Sequence, residues 1–422
     1  MRRFLSGIDY FQLLIDKHAK RKGGVGHIVR LKLTLEGHLP QQMLQDKIHH
    51  NSSLQKIART RVSTNFGFGY PYLYFTKKDC CIPIHWHEYH KKNDDTFLNI
   101  ALNPFEAPPL RIDAYHTTAN ATILIFSFHH ILFDHIGIQE VLRCIDSGKE
   151  VCLVPPKHNK IPFLKRAQAF FQAINFAFKH GTTKMSSLQK KLPPDRPLKA
   201  NFHETAFTVA EGNQILDQIN KNDAQHTPSL YFIEQVAKSF HSNIFKKQHE
   251  HDFFWIPVPV NDRLKTKDNY LLTNGLTFLF YKLSKEALNQ KASAIPMLQK
   301  QMKEQIKKRL PKAFLSFADG WWYFPLPIYY LQWQLPSWGK LSSFSVSYLG
   351  TTLPEMQTFL GHEITDLTHY PSNVVRPGLT VIFYYFKGTL RVVTGFVRND
   401  FTAKEENQIM QDLKNRLLGN AK

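Results

Sequence analysis

The chain reads as a mixed α/β protein built from more than one unit, on three observations. Its 422 residues are enough for two or three ordinary domains. Hydrophobic residues make up 43% and charged residues 21%, the balance of a folded chain with large cores rather than a disordered one. Strand and helix patterns alternate in both parts of the chain. Between them, residues 181–200 carry Lys184, Lys190, Lys191, Pro193 and Pro194 and read as a linker.

The first part runs as follows. Ser6 with Asp9 three residues later is the pattern of a capped helix, expected to reach about His18. The stretch 20–26, KRKGGVG, reads as a basic loop, and His27 to Leu35 alternates as a strand. Residues 39–49 read as a helix and 70–76 as a strand. His85 and His87 would share one strand face. Without a carboxylate or cysteine at ligand spacing they are read as structural or exposed rather than as a metal site.

Residues 121–137, ATILIFSFHHILFDHIG, are the centre of the chain. Ala121 to Phe128 is an unbroken run of strand formers, expected to be covered on both faces. Side chains alternate along a strand, so His130 falls with Phe126 and Phe128, and His129 with Ile125 and Ser127. The two imidazoles therefore cannot share one job. Ile138, Val141, Leu142 and Ile145 follow at the spacing of a buried helical face. A histidine held at a strand end beside a loop suits a general base, because its ordinary pKa lies near neutrality.

Beyond Pro155, Pro156 and Pro162, residues 162–180 read as a helix with Phe163, Ala167, Phe170, Phe171, Ile174 and Phe178 on one face. That face is read first as core, with a helix lying on anionic lipid as the alternative. In the second part, Pro228–Phe240 reads as a helix, Phe253–Val260 and Leu272–Leu283 as strands, and Ser284–Leu310 as one lysine-rich helix. Aromatics crowd residues 314–338, suiting a packed core, a tunnel wall or a membrane boundary. Leu379–Phe386 and Leu390–Phe396 form a hairpin around Lys387-Gly388-Thr389, and Thr402 with Glu405 caps a last helix that stops at Gly419.

His129-His130-Ile131-Leu132-Phe133-Asp134 resembles the HHxxxDG motif of the chloramphenicol-acetyltransferase-like superfamily, which includes wax ester synthases and peptide-synthetase condensation domains. Leu5–Asp9, Asn103–Arg111, Val258–Arg263 and Ser345–Gly350 resemble further pieces of that family in the expected order. The resemblance implies two similar-sized α/β halves, 1–195 and 196–422, packed around a central tunnel. It implies an acyltransferase that moves an acyl group from a thioester, acyl-CoA or acyl carrier protein, to a hydroxyl or amine acceptor, here lipid-like.

On that likeness His130 is the general base, His129 is structural, and Asp134 pairs with Arg263. Gly137, through the backbone N–H groups of 134–137, or the Ser347 hydroxyl would steady the oxyanion. One position departs from the motif: His135 stands where the family has glycine. Were φ positive there, a side chain would cost about 1–2 kcal/mol. The alternatives are a non-catalytic condensation-domain-like scaffold and a basic lipid-binding protein.

Composition narrows the remaining choices. Lys and Arg exceed Asp and Glu by 54 − 34 = 20, which favours anionic partners: a carrier protein, coenzyme A or an anionic membrane surface. Nucleic acid is disfavoured, because no zinc finger, helix-turn-helix or RNA-binding signature is present. Four cysteines without a CxxC fit neither a disulfide framework nor a zinc site, and suggest a reducing cytoplasm. With no signal peptide or long apolar run, the expected location is cytoplasmic, with peripheral contact to the inner membrane face. No bound cofactor is expected, and GxGxxG, GxxxxGK, HExxH and GxSxG are all absent.

Overall fold

The computed structural model of the chain describes residues 2–64, 71–90, 93–151, 153, 163–180, 185–188, 198–245, 253–261, 272–290, 292–321, 324–337, 342–373, 377–398 and 400–420. In the first half run β1 (Arg2–Phe4), α1 (Gly7–Arg21), β2 (Ile28–Glu36), α2 (Gln41–His50), α3 (Ser52–Arg59), β3 (Thr60–Ser63) and β4 (Tyr72–Phe75). They are followed by β5 (Ile84–His87), α4 (Asn93–Phe97), β6 (Leu110–His116), β7 (Ala121–His129), α5 (His135–Ser147) and α6 (Phe163–His180). The second half opens with β8 (Ala200–Ala206), α7 (Val209–Lys221), α8 (Pro228–Phe240), β9 (Phe253–Asn261), β10 (Leu276–Ser284), α9 (Lys285–Asn289) and α10 (Ile295–Lys307). It closes with α11 (Leu310–Trp321), α12 (Leu326–Ser337), β11 (Ser345–Thr351), β12 (Thr358–Phe359), β13 (His362–Tyr370), β14 (Leu379–Phe386), β15 (Thr389–Val397) and α13 (Ala403–Leu417).

Each half is a mixed α/β unit with its own sheet. The first is six-stranded, in the order β12-β13-β2-β7-β6-β5; the second is four-stranded, β11-β14-β15-β8. Leu31, Leu33 and Leu35 of β2 and Leu124, Phe126 and Phe128 of β7 are fully buried against α5 and its neighbours. Each such side chain contributes about 1.5–3 kcal/mol. A second core runs from Phe207 to Leu418 in the second half and takes in Leu188 from the segment before it. The first core also draws on Leu272, Tyr329, Phe359, Leu367 and Tyr384 from the second half, so the halves are not independent.

The cause is a crossover. Strand β13 leaves the second half and pairs antiparallel with β2 of the first, from Ile364↔Leu35 to Tyr370↔Arg30. Tyr384 of β14 then ties the two sheets together. Its hydroxyl donates to Leu367 O at 3.1 Å and accepts from His369 N at 3.2 Å, while the ring is fully buried.

Local chemistry explains the elements nearest the site. Ser6 and Asp9 form a reciprocal capping box that starts α1. Gly7 lies where that helix meets α11, and a Cβ there would stand 2.3 Å from the backbone of Asp319. Lys387 (φ 46°) and Gly388 (φ 75°) make the tight β14–β15 turn.

Several expectations need correction. The helix expected over 284–310 is broken at 290–294, and α10 restarts with Pro296 near its first turn, where proline's missing N–H costs nothing. The strand expected from Leu272 begins only at Leu276, because Asn274-Gly275 makes a loop. In α6, Phe171 is 66% exposed while Ala173 is buried and Phe176 packs on Trp255, Phe280 and Phe314. Strands β12 and β13 were not expected at all. The boundary at 195 and residues 189–197 of the linker lie outside the described residues, as do Trp322, Tyr323 and Trp338 of the aromatic segment. Among the described residues no helix is long and apolar enough to cross a membrane.

Tyr384→Phe removes one hydroxyl and strands a buried N–H and carbonyl. Denaturant unfolding is expected to show a loss of about 1–3 kcal/mol with the fold retained.

Candidate active site

Strand β7 delivers the two histidines to opposite environments. His129, the last strand residue, is fully buried. Its Nε2 stands 3.2 Å from Asp16 Oδ1 of α1, a charge contact without hydrogen-bond alignment. Asp16 also takes the His27 N–H at 2.8 Å and Lys20 Nζ at 2.9 Å. Burial alone would raise the Asp16 carboxyl, but His129 and Lys20 outweigh it and hold the group well below the usual carboxylate range.

His130 lies just past the strand and is half-buried. Its N–H donates to His27 O at 2.9 Å, extending the β2–β7 ladder by one step. Its ring stacks on His27, with centroids 4.5 Å apart and planes within 15°. His27 is held at both nitrogens, by Ser372 Oγ at 2.6 Å and Gln12 Oε1 at 2.7 Å. Burial, with His130 beside it, pushes the His27 pKa well below its ordinary value. Burial also lowers His130, against its own backbone, Asp134 and Asn274, which favour the charged form. Both rings are thus kept neutral near pH 7.

The loop after His130 is clamped from the second half. Phe133 bridges to Thr273, and Asn274 Oδ1 lies 3.2 Å from His130 Nδ1. Asn274 Nδ2 reaches His130 O and Ile131 O, both at 2.9 Å. Asp134 faces both halves. Its Oδ1 takes the Gly137 N–H at 2.8 Å, capping α5, and its Oδ2 takes the Gly275 N–H at 2.9 Å. Among the described residues nothing hydrogen-bonds to His130 Nε2, on the opposite edge of the ring.

The other site expectations fall as follows. Arg263 lies outside the described residues. The N–H of Gly137 is committed to Asp134 and is not offered to an oxyanion. Ser347 is half-buried on β11, and no hydrogen bond joins it to His130. His135 is the first residue of α5 and is not at positive φ, so the strain considered for that position does not arise. Its ring instead packs inward, accepting from Gln139 at 2.8 Å and meeting His369 edge-on at 4.8 Å. Burial brings its pKa to about 4 and takes His369 well below its ordinary value. His87 contacts Asp113 at 2.9 Å, and among the described residues no group of three ligating side chains is placed to hold a metal. Asn274, His27 and Asp16 were not anticipated. The Asn-Gly dipeptide was the available signal for the first, since it marks a turn inside the expected strand.

Neither a protein-family description nor a curated protein matches the sequence significantly. Solved structures do match over the whole chain. The trichothecene 15-O-acetyltransferase from Fusarium sporotrichioides superposes with a TM-score of 0.70 at 12% identity, covering 100% of this chain and 95% of that one. The first condensation domain of the CDA synthetase gives 0.66 at 12% identity, covering 100% and 97%. The epimerization domain from the third module of tyrocidine synthetase B gives 0.66 at 14%, covering 100% and 96%. The fold is therefore the one shared by this acetyltransferase and these synthetase domains, built from two α/β halves. On that fold the chain carries His129-His130-Ile131-Leu132-Phe133-Asp134-His135 at the end of β7.

Two outcomes follow. Asp134→Ala removes a helix cap, about 0.5–2 kcal/mol, and leaves the Gly275 N–H unpaired, about 1–3 kcal/mol more; chemical denaturation reads the sum. Stability should also fall with acid. His27, His135 and His369 resist protonation when folded but not when unfolded, so stability is complete above pH 6.5 and declines below it, with the His135 share lost towards pH 4. Unfolding midpoints measured across that range check the sign.

Proposed function

We propose that the protein transfers an acyl group from a thioester to a hydroxyl or amine, with His130 as general base. The observation that carries this is His130 itself. The ring is half-buried, stacked on a neutral partner and held at Nδ1, while among the described residues Nε2 is unclaimed. The fold it sits in is shared with an acetyltransferase and with condensation domains.

The reaction balances as follows. His130 Nε2 takes the acceptor's proton as its oxygen or nitrogen bonds to the thioester carbonyl carbon. The C–S bond then breaks, and the proton returns to the leaving thiolate. Ser347 is the proposed oxyanion donor, and Arg263 the proposed further partner of Asp134. The donor is acyl-CoA or an acyl carrier protein, for which the net charge of +20 is suited. The proposed tunnel for the acyl chain runs between the halves; the small cavity where Gly26, Ile28 and Arg30 meet Leu198, Ala200 and Asn373 has room for no more than about one water and is not that tunnel.

The acceptor is lipid-like. Leu164 and Phe171 of α6 and Ile306 of α10 are exposed, and Gln172 of α6 bonds to Lys308 O just past the end of α10. That combination supports peripheral contact with an anionic surface.

The test is mass spectrometry of products from an acyl-CoA and acyl-carrier panel with mixed alcohols, amines and lipids. His130→Ala should fold and lose about 10²–10⁴-fold in turnover. Full activity in the purified variant overturns the assignment.

A further inference from the structure

We propose that Asn274, reaching across from the second half, fixes His130 in the one tautomer that leaves Nε2 able to accept a proton. The inference rests on His130 being the base. It is carried by an accounting of donors and acceptors around one amide.

Asn274 Nδ2 stands 3.0 Å from Asp9 Oδ1 and 2.9 Å from the backbone oxygens of both His130 and Ile131. All three are oxygens that only accept when the carboxylate is ionised. Turning the amide over would set its carbonyl against all three. Its orientation is therefore decided by its surroundings. Oδ1 must then face His130 Nδ1, at 3.2 Å. An amide oxygen cannot donate, so the hydrogen of that contact belongs to Nδ1. A neutral imidazole has one N–H, so Nε2 keeps its lone pair.

Asn274 is itself anchored. Asp9 Oδ1 also takes the Asn274 backbone N–H at 3.0 Å, and Asp9 Oδ2 takes the Ser6 N–H at 3.1 Å and hydroxyl at 2.7 Å. One carboxylate thus starts α1 and orients the amide that orients the ring. Both Asp9 and Asn274 are buried. Asn274 is a positioning residue, acting through His130 and not on substrate.

Among the described residues, the charged and titratable groups around the ring are His27 stacked on it from β2, His129 beside it, Asp134 at the start of α5, and Asp9 behind the amide; the ring's own backbone also favours its charged form. None of these touches Nδ1 within hydrogen-bond distance.

The first measurement needs no Asn274 variant. Nitrogen-15 spectra of the full chain, labelled at its 21 histidines, are compared with those of His130→Asn to assign the His130 ring. Above neutral pH the ring is expected as the Nδ1–H tautomer, and an Nε2–H ring overturns the proposal. The second compares two variants. Asn274→Leu should lower kcat by about tenfold or more, within the 10²–10⁴ a general base supplies, with KM changed by less than about twofold. Asn274→Asp keeps an acceptor at Nδ1. It should recover part of kcat and move the acidic limb of the pH–rate profile upward, because a carboxylate favours imidazolium. Unchanged kcat and an unchanged tautomer in Asn274→Leu defeat the proposal. Full turnover in His130→Asn would instead defeat the general-base reading, leaving the tautomer assignment to be judged by its own spectrum.

Discussion

The arrangement hangs on four residues, Leu272–Gly275, from the second half seated on the loop 129–135 of the first. The contacts are dense: Phe133 with Thr273, Asn274 with His130 and Ile131, and Gly275 with Asp134. Each hydrogen bond alone contributes about 0.5–1.5 kcal/mol. Their larger effect is negative: a buried donor or acceptor left unpaired costs more than a formed bond returns, so the segment has few alternative seats. The loop that presents His130 is shaped by a piece of chain that its own half does not contain.

The paired histidines illustrate how one strand end serves two purposes. His129 turns to the Asp16–Lys20 pair, with its Nε2 3.2 Å from Asp16 Oδ1. His130 turns to an uncharged neighbour, His27, whose nitrogens are both engaged. Burial lowers the pKa of both stacked rings, and His130 lowers that of His27 further. An imidazole that stays neutral near pH 7 is the chemical result. Asp134 is occupied as a helix cap and a tie between halves.

Much of this was legible from residue patterns because the controlling interactions are local. The Ser6–Asp9 capping box, strand β7, the buried face of α5 and the Lys387-Gly388 turn each follow from residues a few positions apart. The motif His129–Asp134 was visible for the same reason. What escaped depends on distant partners. β13 does not alternate cleanly, because a bulge between Ile364 and Asp366 breaks its period of two. Leu272 and Thr273 were absorbed into β10, since nothing nearby reveals that Asn274 is needed at a ring 144 positions earlier in the chain. His27 looked like an ordinary strand start. His135 looked like a strained substitution, and only the backbone shows that its position is helical.

The crossover of β13 has a bearing on how the polypeptide is born. Strand β2 is flanked by β7 on one side and β13 on the other. While the nascent chain is still emerging from the ribosome, β7 is already available but β13 is not. For most of translation, the nine residues of β2 therefore present an open row of amides and carbonyls to the crowded cell. A polypeptide halted before β13 keeps that sticky margin, and only the arrival of His362–Tyr370 closes it.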